Sequence, residues 1–428
     1  MRSSLLDEFE ARGLIADATP REDLARHLAR GPRSIYCGFD PTADSLHVGS
    51  LLPLIALRRL QAAGHRPVVL IGGGTGLIGD PSGKAGERAL SDQLQVAAWA
   101  ERLKTQVSRF LEFGAGPTDA QLLDNYAWLG ELNVLGFLRD IGKEFSIGAM
   151  IAKESVRARM GRADAGLSYT EFSYQILQAY DFLRLFQDHR CSMQIGGSDQ
   201  WGNITAGIDL IRRKTGEAAY GLTLPLVTKA DGTKFGKTET GTIWLDPTKT
   251  SPYEMYQFWL NTSDEDVITY LKYFTFLPLE RIGELAGATK RAPEKREAQR
   301  VLAREVTTLV HGTAAVEEAE RITAALFRGD VGSLRIDELA QMVGTLPSTN
   351  LPAAPGVALP LLDVLLATGL ASSRRAAREL IASGAVQVNG EPAKDAGATV
   401  SRETALFGRY LILRKGKKTY AAAILAAS

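Results

Sequence analysis

The first half of the chain alternates short apolar runs with segments of helical periodicity. Ser34–Phe39 (SIYCGF) and Pro67–Ile71 (PVVLI) have the composition of buried strands. Between them, Leu51–Ala63 has the spacing of a helix that ends at Gly64. Strands that alternate with helices are typical of a parallel α/β sheet, and we predict one for residues 1–228.

Helical patterning dominates from Ser251 to about Phe327. The segment SPYE at Ser251 places a serine cap before a proline and a glutamate, which predicts a capping box, and TSDE at Thr262 repeats the pattern. Proline and glycine are frequent in Thr345–Pro360, which indicates a linker. We therefore predict a helical domain at 229–340, a linker at 341–358 and a small terminal domain at 359–428.

Charge is distributed unevenly along the chain. The segment Ser372–Lys418 contains ten basic and four acidic residues and therefore carries +6, whereas the whole chain carries +1. The remainder is then about −5, since +1 minus +6 is −5. A basic terminal module on an acidic body predicts a polyanionic partner.

Composition excludes several classes of protein. The 428 residues are 45% hydrophobic and 23% charged, as in ordinary globular proteins. No apolar run approaches the roughly 18 residues of a bilayer span, and acidic residues interrupt the N-terminal segment where an export signal needs apolar ones. Cys37 and Cys191 are too few for a disulfide framework. We expect a cytoplasmic protein that does not bind membranes.

A glycine-rich segment imitates a dinucleotide-binding motif. Gly74–Gly79 (GTGLIG) has the spacing of the NAD fingerprint, but the following DPSG favours a turn over the helix that this motif requires. A P-loop also fails, because Ile78 and Ala85 occupy positions that need glycine and a hydroxyl residue. We predict neither site here.

The segment from Asp40 to Ser50 follows a strand and leads into a helix. Free N–H groups and a partial positive charge at a helix start attract phosphate. Thr42 and His47 can add donors, and Gly49 permits close approach to the backbone. A plain turn with a surface histidine is the alternative that these residues leave open.

A hairpin is predicted from Leu224 to Thr238, with its turn at residues 230–232. Lys234 and Lys237 lie three apart on the second arm and are flanked by glycines, which suits a mobile clamp for polyphosphate. An ordinary solvated hairpin tip is the alternative.

Polar residues form a stripe on an otherwise apolar helix. Tyr174, Gln178 and Asp181 are spaced four and three apart and share one face. The following QIGGSDQWGN, Gln194–Asn203, combines polar side chains with three glycines, as in a substrate pocket. A water-facing stripe is the simpler alternative.

Four of these segments resemble tyrosyl-tRNA synthetases, which are class I aminoacyl-tRNA synthetases. HVGS at His47 resembles the HIGH motif, with Ser50 replacing the second histidine, and KFGKT at Lys234 resembles the KMSKS loop. YTEFSYQILQAYDF and QIGGSDQWGN are similar to the tyrosine-binding segments. The resemblance implies a Rossmann-like parallel-sheet catalytic domain, an α-helical domain and a small α+β S-four-like RNA-binding domain.

The resemblance also implies residue roles. Tyr36 and Asp181 would bind the phenol hydroxyl of tyrosine. The residues implied for its ammonium and carboxyl groups are Asp80, Tyr174, Gln178 and Gln200. The ATP-binding residues implied are Cys37, Gly38, Asp40, Gly49, Ser50, Gly197, Asp199 and Lys237. The catalytic phosphate contacts implied are Thr42, His47, Lys84, Arg88, Lys234, Lys237 and Thr238.

The implied reaction has two steps. The tyrosine carboxylate attacks the α-phosphorus of ATP, which enters as its Mg²⁺ complex, and the tyrosyl group then passes to tRNA(Tyr). Because the carboxylate is already an anion, no protein nucleophile is needed, and the five histidines form no metal-spaced cluster. We therefore expect no protein-ligated metal, and catalysis by stabilising charge on the phosphates.

Two basic clusters are candidate tRNA contacts. Arg374, Arg375 and Arg378 open a helix of the terminal domain, and the run Arg212, Arg213 and Lys214 lies on the catalytic body, where an ordinary surface run is equally compatible. The resemblance also implies a homodimer whose interface lies at Met160–Phe172 and includes Tyr169, and no DNA partner.

Two other functions are retained as alternatives. The first is a tryptophanyl-type synthetase or another nucleotidyltransferase, and the second is a non-catalytic RNA-binding relative.

Overall fold

The computed structural model describes residues 4–426 except 83–91, 153–155, 158–166, 231, 233–234, 239–240, 353–355 and 417–418. Two compact units are present: unit 1 comprises Met1–Lys249 and Ser263–Ala298, and unit 2 comprises Thr250–Thr262 and Gln299–Ser428. This division differs from the predicted boundaries at 228 and 340, because the helical region is shared between the two units.

Helices account for most of the regular structure. In chain order they are α1 (Leu5–Arg12), α2 (Arg21–Ala29), α3 (Leu51–Ala62), α4 (Gln93–Val107), α5 (Tyr126–Leu129), α6 (Val134–Asp140), α7 (Ile147–Ile151), α8 (Tyr169–His189), α9 (Trp201–Thr215), α10 (Pro252–Leu260), α11 (Val267–Phe274), α12 (Leu279–Arg291), α13 (Glu297–His311), α14 (Thr313–Arg328), α15 (Ile336–Gly344), α16 (Leu361–Ala367) and α17 (Arg374–Ala382). Among these described helices, none has both the length and the hydropathy that a bilayer crossing would require.

A six-stranded sheet forms the centre of unit 1. Its strands are β1 (Asp17–Ala18), β2 (Ser34–Phe39), β3 (Arg66–Ile71), β4 (Gln121–Asp124), β5 (Cys191–Gly197) and β6 (Tyr220–Leu224). They lie in the order β1-β6-β5-β2-β3-β4, and all neighbours are parallel except the β1–β6 pair. The predicted parallel α/β sheet is confirmed, with both expected strands and the helix α3 in place.

The strand order creates a switch point between β2 and β5. From β2 the chain proceeds outward to β3 and β4, whereas from β5 it proceeds in the opposite direction to β6. Crossovers that diverge in this way leave a crevice at the carboxyl ends of the two central strands, where open α/β sheets bind ligands.

Part of the hairpin predicted from Leu224 to Thr238 lies outside the described residues. A turn hydrogen bond from the Gly232 amide to the Lys229 carbonyl, at 2.9 Å, is present at the predicted position. Lys237–Thr238 (β7) also pairs antiparallel with Gly241–Thr242 (β8). Gly241, at φ 128°, adopts a backbone conformation that other residues rarely reach, which allows the tight return at this point.

Unit 2 combines helices with a mixed sheet. Helix α10 packs against α14 and α15. The strands are β9 (Ser348–Pro352), β10 (Leu359–Pro360), β11 (Val386–Val388), β12 (Glu391–Pro392), β13 (Thr399–Val400), β14 (Tyr410–Lys415) and β15 (Thr419–Ala426). Five of them form a sheet in the order β12-β11-β14-β15-β9, and α16 and α17 supply residues to its core. The predicted terminal α+β domain is confirmed.

Two short strands lie within or next to the predicted linker at 341–358. Residues Ser348–Pro352 form β9, which pairs parallel with β15, and Leu359–Pro360 form β10, which pairs with β13. Proline is compatible with β9, because Pro352 lies at the end of an edge strand, where a missing N–H group is tolerated.

Of the two predicted capping boxes, the one at Ser251 has its serine cap in place. The Ser251 hydroxyl accepts a hydrogen bond from the Glu254 amide at 3.1 Å, with Pro252 at the first helical position. The box predicted at Thr262 is wrong, because α11 begins only at Val267 and Asp266 is its cap. Ser263 pairs with the Asp266 carboxylate at 2.9 Å in a separate turn before the helix.

Candidate active site

A cavity of about 340 Å³ opens at the switch point of the sheet. Its lining includes all the residues predicted to bind tyrosine, namely Tyr36, Asp80, Tyr174, Gln178, Asp181 and Gln200. It also includes the predicted nucleotide and phosphate residues Cys37, Gly38, Asp40, Thr42, His47, Gly49, Ser50, Gly197 and Asp199. Lys84, Arg88 and Lys234 lie outside the described residues, and Lys237 and Thr238 are described as the backbone of β7.

The Asp181 carboxyl group lies in the buried wall of this cavity, with 2% of the residue exposed. Asn125 Nδ2 donates to one of its oxygens at 2.8 Å, and Trp128 Nε1 donates to the other at 2.7 Å. Burial raises the pKa of Asp181 to about 7, while these two hydrogen bonds oppose the rise. The group is therefore a buried acid that changes charge near neutral pH.

The Tyr36 hydroxyl is a buried polar group beside Asp181. The residue is 1% exposed, and no hydrogen-bond partner for its hydroxyl is found among the described residues. Burial, followed by the nearby Asp181 charge, raises the pKa of Tyr36 well above its usual value. A buried hydroxyl without a partner is unfavourable by about 1–3 kcal/mol, so this wall is suited to a ligand that supplies the missing hydrogen bond.

The opposite end of the polar stripe is rich in carboxylates. Tyr174 Oη donates to Asp40 Oδ2 at 2.8 Å, and Gln200 Nε2 donates to Asp80 Oδ2 at 2.6 Å. Gln178 Nε2 in turn donates to Gln200 Oε1 at 3.1 Å. Burial is the main cause that raises the pKa of Tyr174, and Asp40 and Asp80 add to it. This concentration of negative charge favours a cationic ligand group.

A continuous series of side-chain hydrogen bonds joins the two ends of the polar stripe formed by Tyr174, Gln178 and Asp181. Thr75 Oγ1 donates to Asp40 Oδ1 at 2.8 Å and accepts from Asn125 Nδ2 at 2.9 Å. Asn125 also donates to Asp181, so the chain runs from Tyr174 through Asp40, Thr75 and Asn125 to Asp181. The network holds the polar groups of the cavity in fixed positions relative to one another.

Sequence reasoning missed several members of this site. Thr75 lies in the GTGLIG segment, whose glycine spacing suggests only an NAD motif and gives no sign of a role for the threonine. Asn125 and Trp128 follow the end of β4, and their position after a strand was the available signal. Gln194 and Asn203 belong to the predicted pocket segment, but neither was singled out; Asn203 Nδ2 donates to Gln178 Oε1 at 3.0 Å.

The HVGS turn lines the part of the cavity where phosphate is predicted to bind. The His47 Nδ1 atom accepts a hydrogen bond from the Gly49 amide at 3.0 Å, which leaves the proton of a neutral ring on Nε2. A Cβ atom on Gly49 would lie 2.6 Å from the His47 ring, so a larger residue here would displace that ring. The short 3₁₀ turn Val48–Ser50 then leads into α3.

Backbone hydrogen bonds connect this turn to Ile243–Leu245, the segment that follows β8. The Val48 amide donates to the Ile243 carbonyl at 3.0 Å, and the Leu245 amide donates to the Leu46 carbonyl at 2.8 Å. Between them, His47 pairs with Trp244, and their rings meet edge to face at 6.3 Å. The two predicted phosphate motifs are therefore parts of one structure.

Both residues between Lys234 and Lys237, Phe235 and Gly236, have close contacts of their own. The Phe235 ring stacks on Phe274 at 5.4 Å and meets Tyr270 edge-on at 5.2 Å. At Gly236, φ is 77° and a Cβ atom would lie 2.7 Å from Val48. This loop consequently packs directly against the HVGS turn.

Comparison with known proteins identifies the family. Residues 28–328 match the family model for class I tRNA synthetases (W and Y), and residues 338–423 match that of a tyrosine–tRNA ligase C-terminal domain. Tyrosine–tRNA ligase from Geobacillus kaustophilus is 55% identical over 417 residues, which cover 97% of this chain and 98% of the relative. The Aliivibrio fischeri (strain MJ11) enzyme is 53% identical over 419 residues, 98% of each chain. This chain belongs to the tyrosine–tRNA ligase family.

Solved structures share the fold of this tyrosine–tRNA ligase family member. A C-terminally truncated mitochondrial tyrosyl-tRNA synthetase from Aspergillus nidulans has a TM-score of 0.68 at 32% identity, covering 76% of this chain and 95% of that one. A tryptophanyl-tRNA synthetase from Encephalitozoon cuniculi has a TM-score of 0.53 at 14% identity, covering 78% of this chain and 89% of that one. The fold alone therefore does not distinguish tyrosine from tryptophan, and the side chains of the cavity carry that argument.

The predicted RNA-binding arginines of this ligase-family chain lie at the start of α17. Arg374 forms a two-oxygen ion pair with Asp363 at 2.6 and 2.8 Å, and Arg375 pairs with Glu379 at 2.9 Å. Arg375 and Arg378 are exposed. Exposed ion pairs of this kind are weak, so the guanidinium groups remain able to contact a phosphate.

The basic cluster on α9 has structural contacts. Arg213 donates to the Glu144 carbonyl, and Lys214 Nζ donates to the Asp140 carbonyl at 2.9 Å. Arg212 pairs with Asp209 at 3.2 Å. Two of the three side chains thus join α9 to the end of α6 and the turn that follows it, and a role in tRNA binding stays a prediction.

Proposed function

We propose that this member of the tyrosine–tRNA ligase family activates L-tyrosine with Mg²⁺-ATP and then charges tRNA(Tyr). The observation that carries the proposal is the Tyr36 hydroxyl, which is buried and unpartnered among the described residues beside the Asp181 carboxyl group. A tyrosine hydroxyl between them would donate to Asp181 and accept from Tyr36. Tryptophan and phenylalanine offer no group that makes both bonds.

Amino-acid activation follows from the arrangement of charges. Asp40 and Asp80 form an anionic wall that favours the α-ammonium group, and the tyrosine carboxylate is then directed towards the nucleotide. One carboxylate oxygen forms a bond to the α-phosphorus, and the bond from that phosphorus to the bridging oxygen of pyrophosphate breaks. The electron pair leaves with pyrophosphate, so the step needs no proton transfer.

We assign stabilisation of the negative charge on the departing pyrophosphate to the residues predicted to contact phosphate. The Nε2–H group of His47, whose other ring nitrogen is held by Gly49, donates to phosphate oxygen, and Thr42, Lys84, Arg88, Lys234 and Lys237 are proposed to add charge and donors. Such donors act chiefly in the transition state, and losing one typically lowers the rate about ten- to thousandfold. In the second step the terminal ribose hydroxyl of tRNA attacks the tyrosyl carbonyl carbon and releases its proton. The bond from that carbon to the phosphate oxygen of the adenylate breaks, and AMP leaves with the electron pair.

The test is tyrosine-dependent exchange of pyrophosphate into ATP, measured with tyrosine, phenylalanine and tryptophan. We expect exchange with tyrosine alone, and equal rates with tryptophan would refute the proposal. Tyr36→Phe is the sharper variant, because it removes a hydroxyl that has no partner in the described residues. Its melting temperature should be unchanged or higher, while tyrosine affinity falls about two- to fifteenfold, which corresponds to one hydrogen bond.

A homodimer is also proposed, on the basis of exposed apolar residues in unit 1. Leu135 is 76% exposed and Tyr169 is 72% exposed, and a further cavity of about 420 Å³ is lined by Tyr169 and residues of α5 and α6. Large exposed apolar patches mark interaction sites. Most of the predicted interface segment Met160–Phe172 lies outside the described residues.

Sedimentation tests the dimer. Leu135→Asp should yield monomers, whereas Leu94→Asp, at a residue that is equally exposed on α4, should not. A monomeric wild-type protein would contradict the proposal.

The cytoplasm is proposed as the location. Cys37 and Cys191 are both free and buried, as expected in a reducing compartment. Recovery of the native protein mainly in a membrane or secreted fraction would contradict this.

A further inference from the structure

An exposed aromatic residue lies at the tip of the turn that leads into β14. Phe407 is 55% exposed, and both Phe407 and Gly408 have positive φ, 51° and 65°. The turn is closed by hydrogen bonds from the Arg409 amide to the Leu406 carbonyl at 3.1 Å and from the Leu406 amide to the Tyr410 carbonyl at 2.9 Å. Two successive left-handed residues in a tight turn normally select asparagine, aspartate or glycine.

Phenylalanine is therefore unfavourable here in two respects. A bulky side chain at positive φ strains the backbone, and an aromatic ring that stays half exposed recovers little from burial. By comparison, Phe327 is also exposed, at 88%, but lies in the regular last turn of α14. Backbone strain at an exposed side chain indicates that the ring serves a ligand, since it does not serve the fold.

The turn is held rigidly by its neighbours. The Asn389 side chain donates to the Thr404 carbonyl at 3.0 Å and accepts from the Ile412 amide at 2.8 Å. On the other side, the Leu425 amide of β15 donates to the Arg409 carbonyl at 2.8 Å. These contacts fix both ends of the turn, so the Phe407 ring is presented in a defined direction.

Charge around the ring points to the chemistry of the partner. Within Ser401–Arg409, Arg402 and Arg409 outweigh Glu403, which leaves a net charge of +1, and the segment Ser372–Lys418 carries +6. A partner that offers both negative charge and flat aromatic faces is a nucleic acid. Bases stack on exposed aromatic side chains with little dependence on sequence.

We propose that Phe407 is an RNA-contact residue, whose ring stacks on an unpaired base of the bound tRNA. This inference rests on the proposed function. The predicted arginines would contact phosphates of the tRNA, whereas Phe407 would contact a base. Loss of one such stacking contact typically weakens binding about five- to hundredfold.

The decisive variant is Phe407→Asn in the full chain, because asparagine suits the left-handed turn. Its melting temperature should rise, while its affinity for tRNA(Tyr), measured by filter binding at fixed salt, should fall about five- to hundredfold. The slope of affinity against salt should not change, since no phosphate contact is lost. Phe407→Trp should retain binding and add a fluorescence signal that tRNA quenches.

The matched control is Phe327→Ala, which removes an exposed ring from a helix of the same unit and should leave tRNA affinity unchanged. A fall in both melting temperature and tRNA affinity for Phe407→Asn would assign the ring a structural role and overturn the inference. Unchanged tRNA affinity in Phe407→Asn would also overturn it, as would an equal loss in the control. Wild-type protein that charges no tRNA would instead refute the proposed function.

Discussion

Replacing Trp128 with phenylalanine should shift the pH at which the protein recognises tyrosine. Trp128 is one of the two donors to the buried Asp181 carboxyl group, at 2.7 Å. A hydrogen bond to a charged group is worth about 1.5–3 kcal/mol, and one pKa unit corresponds to about 1.36 kcal/mol. Losing the donor should therefore raise the pKa of Asp181 by about 1–2 units from its value of about 7.

The direction in which kcat/KM changes with pH depends on the charge state of Asp181 that the tyrosine hydroxyl needs. The hydroxyl donates best to an ionised carboxylate, so kcat/KM for tyrosine should rise with pH and level off above the pKa of Asp181. We expect a midpoint near 7 in the wild type. In Trp128→Phe the midpoint should lie about 1–2 pH units higher, with KM for ATP unchanged.

Exchange kinetics between pH 5.5 and 9.5 provide the assay. Phenylalanine, measured as a competitive inhibitor, carries the same ammonium group and no hydroxyl, so its profile corrects for titration of the amino acid itself. A midpoint that stays in place or moves to lower pH in Trp128→Phe would refute the assignment of Asp181 as the titrating group.

Three further predictions concern other parts of the molecule. His47→Ala should lower the exchange rate about ten- to thousandfold while tyrosine affinity, measured by equilibrium dialysis, barely changes; the reverse result would move His47 out of the phosphate site. The pKa of Asp181 in the folded protein lies above its usual 3.8, so the contribution of Asp181 to stability falls as pH rises from about 4 to 7. The melting temperature of Asp181→Asn, relative to that of the wild type, should therefore increase from pH 4 to pH 8. A difference that stays constant over this range would contradict the prediction. Gly390→Ala places a Cβ atom 2.4 Å from the Gly329 carbonyl oxygen and should destabilise unit 2 by about 1–3 kcal/mol in a thermal melt, more than Gly384→Ala, which has a similar positive φ but open space around it; equal losses would show that the close contact is unimportant.

Local patterns in the sequence predicted the parts of the structure that depend on local interactions. The SIYCGF strand and α3 are specified by their own apolar spacing, and the stripe Tyr174, Gln178 and Asp181 follows from helical geometry alone. These segments needed no knowledge of what lies beside them.

Long-range partners were not predictable in the same way. Asn125 and Thr75 form the link between the two ends of the pocket only because β4 and the turn after β3 are brought together by the sheet. Likewise, β9 becomes a strand through pairing with β15, and the proline-rich composition of its neighbourhood gave no sign of that partner. The pairing of Lys237–Thr238 with Gly241–Thr242 was not predictable from local patterns either.

The hydrogen bonds between Leu46–Val48 and Ile243–Leu245 have a consequence for protein engineering. A chimaera that imports only the five-residue lysine motif from another synthetase would combine it with a foreign Ile243–Leu245 segment and a foreign Leu46–Val48 turn. The backbone hydrogen bonds between those two segments would then not be matched to the imported motif. The Phe235 ring would also lose its matched aromatic neighbours on α11. The smallest transplantable module is therefore residues 234–245 together with the turn at Leu46–Val48, and recombination libraries should place their crossover points outside both.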